Sequence, residues 1–81
     1  MKIELLLFAR LREAAGTERA AVNAANDATV AQVASDFFTQ RGVEPSSLPP
    51  IRFAVNEVFV PDDHVPRDGD RVALLAPFAG G

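Results

Sequence analysis

The sequence predicts a small two-layer α+β domain, one helix packed on one sheet, and three observations carry that prediction. A single stretch repeats apolar residues at helical spacing: Val30, Val33, Ala34, Phe37 and Phe38. Strands are indicated near both ends, where IELLLF and RVALL combine alternation with strong apolar character. At 81 residues the chain has room for one core, and 48% hydrophobic with 23% charged residues is the balance of a chain that folds unaided.

Each element then follows in order. The first strand sets Ile3, Leu5 and Leu7 on one face and Glu4, Leu6 and Phe8 on the other. Arg10 to Ala15 is alanine-rich and stops at Gly16, which reads as a single helical turn closed by a glycine that tolerates the left-handed conformation. TERAAVNA offers a second strand around Arg19 to Ala24. Thr29 followed by Gln32 is the signature of a capping box, so the main helix starts there and runs until Gly42. EPSSLPP is a connecting loop by composition. IRFAVNEVFV supplies two short strands folded about Asn56 and Glu57, and Pro61 stops the second because proline donates no ladder hydrogen bond. RDGD is a tight turn, and the last strand points Val72 and Leu74 one way, Ala73 and Leu75 the other.

Two terminal strands this apolar belong side by side in the middle of the sheet. Because the helix lies in the crossover between them, they run parallel. The resulting arrangement is the ubiquitin-like β-grasp, a mixed sheet of about five strands packed on one main helix. It is expected to occupy residues 1–76, leaving 77–81 as a flexible tail ending in Gly80 and Gly81.

Composition removes several classes of function. Without cysteine there is no disulfide, no thiolate metal site and no cysteine nucleophile. MKIELLLFAR is not a secretory leader, since Glu4 interrupts the apolar run and no small-residue cleavage site precedes Arg10 and Arg12. Nothing approaches the roughly 20 apolar residues that cross a bilayer. The expected location is the cytoplasm. Eight scattered basic residues in a chain of net charge −3 make no footprint for nucleic acid or for an anionic membrane, and the net charge favours a basic partner.

The catalytic inventory is equally thin. His64, the only histidine, stands in PDDHVP and reads as a solvated loop residue with no second ligand for a metal. Asp62 and Asp63 are adjacent, so their side chains diverge where acid/base work would need them to converge. Asp68 and Asp70 bracket Gly69 as turn formers, and Ser46 and Ser47 lack a glycine elbow. Phe37 and Phe38 are spaced as core, not as a cofactor box. No glycine-rich phosphate loop precedes a helix, which leaves the chain without a nucleotide site of its own.

Two features remain. Phe8, Phe59 and Leu75 fall on the sheet face opposite the helix, where together they make an apolar patch suited to binding a partner. The five residues Pro77, Phe78, Ala79, Gly80 and Gly81 reach about 16–18 Å when extended. Such a tail enters a partner's active site, and glycine has no side chain to obstruct a narrow channel. Its carboxylate, with an ordinary pKa of about 3.3–3.7, is ionised at neutral pH and repels nucleophiles until activated. Activation must therefore come from a separate enzyme that uses ATP.

The stretches FARLREAAG and AVNEVFVPDDHVPRDGDRVALLAPFAGG, together with the chain length, resemble the small, sulfur-carrying subunit of molybdopterin synthase, the MoaD type. The likeness runs end to end and is weakest in the second strand and between Gly42 and Pro50. The DGDRVALL…P…GG ending is shared by β-grasp sulfur carriers generally; the FA.LRE..G start is what favours this branch. The resemblance implies that Gly81 is adenylated by an E1-like adenylyltransferase and converted to a thiocarboxylate with sulfur from a donor protein. It further implies that Pro77, Phe78, Ala79 and Gly80 enter the large synthase subunit with it, that Phe8, Phe59 and Leu75 dock the partners, and that sulfur passes to cyclic pyranopterin monophosphate. On this reading the chain binds no cofactor, ATP serves the activating enzyme, and the catalytic residues lie on the large subunit. Two alternative readings stand beside it: a carrier for thiamine or tRNA thiolation, and a ubiquitin-like protein modifier. Many relatives carry proline where Ala76 stands and a smaller residue where Phe78 stands.

Overall fold

The computed structural model describes residues 1–77. In chain order these form β1 (Lys2–Leu7), α1 (Ala9–Ala15), β2 (Arg19–Asn23), α2 (Val30–Gln40), a 3-10 turn at Pro45–Ser47, β3 (Arg52–Val55), β4 (Val58–Val60) and β5 (Arg71–Leu75). One five-stranded sheet has the order β2-β1-β5-β3-β4. β1 and β5 are central and parallel, and every other pairing is antiparallel. The β-grasp expected from the sequence is therefore the fold observed.

The period-two pattern decides which face meets the helices. Ile3, Leu5 and Leu7 of β1, Val72 and Leu74 of β5, and Phe53 and Val55 of β3 are all buried. Against them α2 turns Val30, Val33, Ala34, Phe37 and Phe38, and Phe38 is completely enclosed with its ring edge-on to Phe37 at 5.2 Å. The faces predicted for the main helix and the two terminal strands are thus the observed core, completed by Phe53 and Val55 of β3 and by Leu11 and Ala15 of α1. At about 25 cal/mol per Å² of apolar area, each buried valine, leucine, isoleucine or phenylalanine here contributes about 1.5–3 kcal/mol to the folded state.

Local signals set the helix boundaries. The Thr29 side chain accepts from the Gln32 backbone N–H at 3.1 Å and Gln32 Oε1 accepts from the Thr29 N–H at 2.9 Å, closing the capping box. Two further N–H groups of the first turn, those of Val30 and Ala31, donate to the carbonyls of His64 (2.8 Å) and Asp62 (3.2 Å). That is the observed role of the PDDHVP loop, and His64 is half-buried there instead of solvated. At the other end Gly42 takes φ +77°, Val43 N–H reaches back to Phe38 O and Gly42 N–H to Thr39 O, the paired closure in which a left-handed residue terminates a helix. Arg41 Nε then donates to Ala15 O across 2.7 Å, tying the ends of the two helices together.

Three differences from the sequence reading are small and have physical reasons. α1 has seven residues instead of one turn, its last carbonyls closed by Gly16 in the left-handed conformation, and it is entered through Ala9, whose φ of +48° is unusual for a residue with a Cβ. β2 ends at Asn23, and the Ala24 N–H instead donates to the Met1 carbonyl beyond the ladder. The proline-rich loop holds a 3-10 turn with Pro45 at its start, where the missing N–H costs nothing.

Candidate functional site

The two helices cover one face of the sheet and leave the other open. Register fixes what stands on it. Across the ladders, Leu6 of β1 pairs with Ala73 of β5, Ala73 with Ala54 of β3, and Ala54 with Phe59 of β4, so one row of apolar side chains crosses four strands. Leu75 stands opposite Arg52 at the end of β5. Phe8 is extended (φ −123°, ψ 151°) and continues the alternation of β1, so the β1–β5 register carried one residue further sets it beside Leu75.

Exposure confirms that this face is unpartnered within the domain. Phe59 is 64% exposed and Phe8 47%, while Leu6, Ala73 and Leu75 are half-buried. Neither phenylalanine is tucked under a loop. The small residues Ala54 and Ala73 form a shallow floor between the larger side chains, a shape that accepts a protruding apolar group. Sequence reasoning named Phe8, Phe59 and Leu75 and missed Ala54 and Ala73; knowing that β1 and β5 are neighbours was enough to find Ala73 beside Leu6.

The charged groups on this face were not legible from composition. Glu4 lies between two arginines, accepting from Arg71 Nε at 3.1 Å and facing Arg19 Nε at 3.7 Å. Arg52 instead lays its guanidinium over the Phe59 ring, 5.9 Å from the centroid, and has no carboxylate within ion-pair distance among the described residues. Net charge, from which a basic partner was expected, does not describe this face, where three arginines stand with Glu4. Asp27 and Asp36 share a depression along α2, and Asp62 borders a hollow of about 200 Å³ between α2 and β3.

The remaining polar candidates have structural roles. Asp70 accepts from Arg67 N–H at 2.8 Å and from Asn56 Nδ2 at 3.0 Å, and Asp68 from Lys2 N–H at 2.6 Å, which ties the RDGD turn to the β3–β4 hairpin and to β1. The Arg67 backbone bond, aided by Asn56, holds the Asp70 carboxyl below its ordinary value against the opposing effect of burial. Ser47 donates to Glu44 O within the 3-10 turn. Asp62 and Asp63 are exposed on a turn. Among the described residues no group of three or more His, Cys, Asp or Glu side chains is placed to hold a metal ion, and no helix is long and apolar enough to cross a membrane.

Pro77 is exposed, two residues beyond the end of β5. Phe78, Ala79, Gly80 and Gly81, assigned to the tail from sequence, lie outside the described residues. The chain leaves the sheet at Leu75, so the root of that tail and the apolar patch are side by side.

The model of the ThiS family matches residues 5–81. The chain belongs to the ThiS family. Within it, the chain is 29% identical to the molybdopterin synthase sulfur carrier subunit of Chlamydomonas reinhardtii over 83 residues, with both chains fully covered. The crystal structure of SAMP1, a small archaeal modifier protein of Haloferax volcanii, superposes with a TM-score of 0.83 at 26% identity and full coverage of both chains. The complex of subunits 1 and 2 of molybdopterin-converting factor from Helicobacter pylori contains a chain of the same fold, with a TM-score of 0.66 at 22% identity and both chains fully covered. The likeness to molybdopterin synthase small subunits, first read from the two terminal motifs of this ThiS-family chain, is borne out by these matches.

Proposed function

We propose that this protein carries sulfur as the small subunit of a molybdopterin synthase, with the C-terminal acyl carbon of Gly81 as the carrying atom. The observation that supports the reading best is the adjacency of an unpartnered apolar face and the exit of β5, which brings a docked partner to the root of the tail. The Gly81 carboxylate attacks the α-phosphorus of ATP held by an E1-like enzyme, and pyrophosphate leaves. Hydrosulfide released by a donor protein then attacks the acyl carbon, a C–S bond replaces the C–O bond to phosphate, and AMP leaves to give the thiocarboxylate. Docked through Phe8, Phe59 and Leu75, the large subunit takes Pro77 to Gly81 into its active site, where sulfur passes to cyclic pyranopterin monophosphate. The body of this chain contributes recognition and reach, and the partners contribute the catalytic groups.

Intact-mass analysis after incubation with an E1-like enzyme, ATP and a sulfur source tests this. Exchange of one oxygen for sulfur, mapped to Gly81, is the expected result; a chain left unmodified by an enzyme that converts its own carrier contradicts it. Pathway is then separated by which synthase consumes the product, a molybdopterin, thiamine or tRNA-thiolating one.

The full-length likeness to SAMP1 favours a second reading, in which Gly81 forms isopeptide bonds to lysines of other proteins. Discrete higher-mass adducts on denaturing gels of cell extract, lost when Gly81 is deleted, distinguish the modifier from the carrier.

A further inference from the structure

We infer that the surface docking on the open sheet face is acidic around an apolar centre, and that a carboxylate of that partner seats on Arg52 at the root of the tail. The inference rests on the docking reading above and adds the chemistry of the partner. It starts from an uneven distribution of charge. Arg19, Arg52 and Arg71 stand on the open face with the single strand carboxylate Glu4, whereas Asp27, Asp36 and Asp62 line the helix side. A chain of net charge −3 therefore presents more arginines than carboxylates along the strands of this face.

The three arginines are not equivalent. Arg71 and Arg19 are both occupied by Glu4, and Glu57 on the hairpin turn borders the same depression as Arg71 and Leu6. Positive charge at that end of the face is largely answered within the chain. Arg52 lies at the other end, opposite Leu75, with no acid beside it among the described residues. A partner carboxylate can engage it without breaking an existing ion pair.

Its orientation suits that role. The guanidinium over Phe59 is held by the attraction between a cation and a ring face, which restricts the side chain before binding and reduces the entropy lost on contact. A guanidinium in this position keeps N–H donors at its edge for a bidentate carboxylate, which an ammonium does not reproduce. Arginine and an aromatic side by side on an apolar floor are the residue types that dominate the energetics of protein interfaces.

The test measures association and dissociation rates between the full chain and the large synthase subunit at low and high salt, for wild type, Arg52→Ala, Arg52→Lys, Arg52→Glu and Phe59→Asp. Urea midpoints check that each variant remains folded. Wild-type association is expected to slow steeply with salt, and Arg52→Glu to weaken binding about tenfold or more at low salt. Arg52→Ala should fall between, and Arg52→Lys should restore the salt dependence without the full lifetime of the complex. If wild type binds and Phe59→Asp abolishes binding while Arg52→Glu is neutral and association ignores salt, the docking reading stands and the acidic partner is overturned. A wild-type chain that does not bind the subunit at all overturns both.

Discussion

The guanidinium carbon of Arg52 lies 5.9 Å from the ring centroid of Phe59, on the face of the sheet that the helices leave uncovered. Neither side chain is needed to close the core, which is complete on the opposite face. Binding and stability are therefore separable in this domain.

Phe59→Asp exploits that separation. With its ring 64% exposed, loss of Phe59 removes little buried area, so the urea midpoint should stay close to wild type. Affinity for the large subunit should drop about tenfold or more, because a charge replaces the most exposed aromatic of the patch. Calorimetric titration beside a denaturation curve checks both halves; unchanged affinity in a folded variant removes the patch from the mechanism.

Phe38→Ala should do the opposite. Phe38 is fully enclosed between α2 and the sheet, and truncation leaves a cavity that costs about 3–5 kcal/mol. A large fall in the urea midpoint is expected, and a variant as stable as wild type would contradict the assigned core.

The turn joining β3 to β4 gives a stabilising change. Asn56 and Glu57 have φ of +49° and +73°, the left-handed pair that favours asparagine then glycine in a two-residue hairpin. Glu57→Gly relieves the second of these and should stabilise the domain by about 0.5–1 kcal/mol, read as a higher urea midpoint. A lower midpoint would show that Glu57 makes a contact worth more than its strain.

Asp70 predicts a pH dependence. Its folded pKa is lowered below 3.8, first by the Arg67 backbone bond, against the opposing effect of burial, and then by the Asn56 bond, so folding favours the ionised form. The stability it contributes is present above the unfolded pKa and is lost as pH falls through the folded one. Melting temperature measured from neutral to acid pH should fall less steeply below the ordinary aspartate pKa in Asp70→Asn than in wild type. Identical slopes would show that the turn does not depend on the charge.

These outcomes also show what could be read without coordinates. The helix was legible because Thr29, Gln32 and Gly42 mark its ends and Val30 to Phe38 mark its buried face. The patch was legible because Phe8, Phe59 and Leu75 break an alternation that otherwise buries apolar residues. Ala9 gave no such signal, since nothing in FARL announces a residue at positive φ. The basic character of the open face was hidden for a different reason. It depends on register, and a shift of one residue in β3 or β5 would have turned Arg52 or Arg71 to the other side.

The central claim is that a single acyl carbon at Gly81 delivers the sulfur, and it is tested most directly by single-turnover sulfuration of cyclic pyranopterin monophosphate. The large subunit would be supplied with thiocarboxylated chain, either native or extended by one alanine beyond Gly81 and carried through the same activation. The native chain should transfer its sulfur and the extended chain should not, because its reactive carbon is displaced by one residue. Undiminished transfer from the extended chain would contradict the claim.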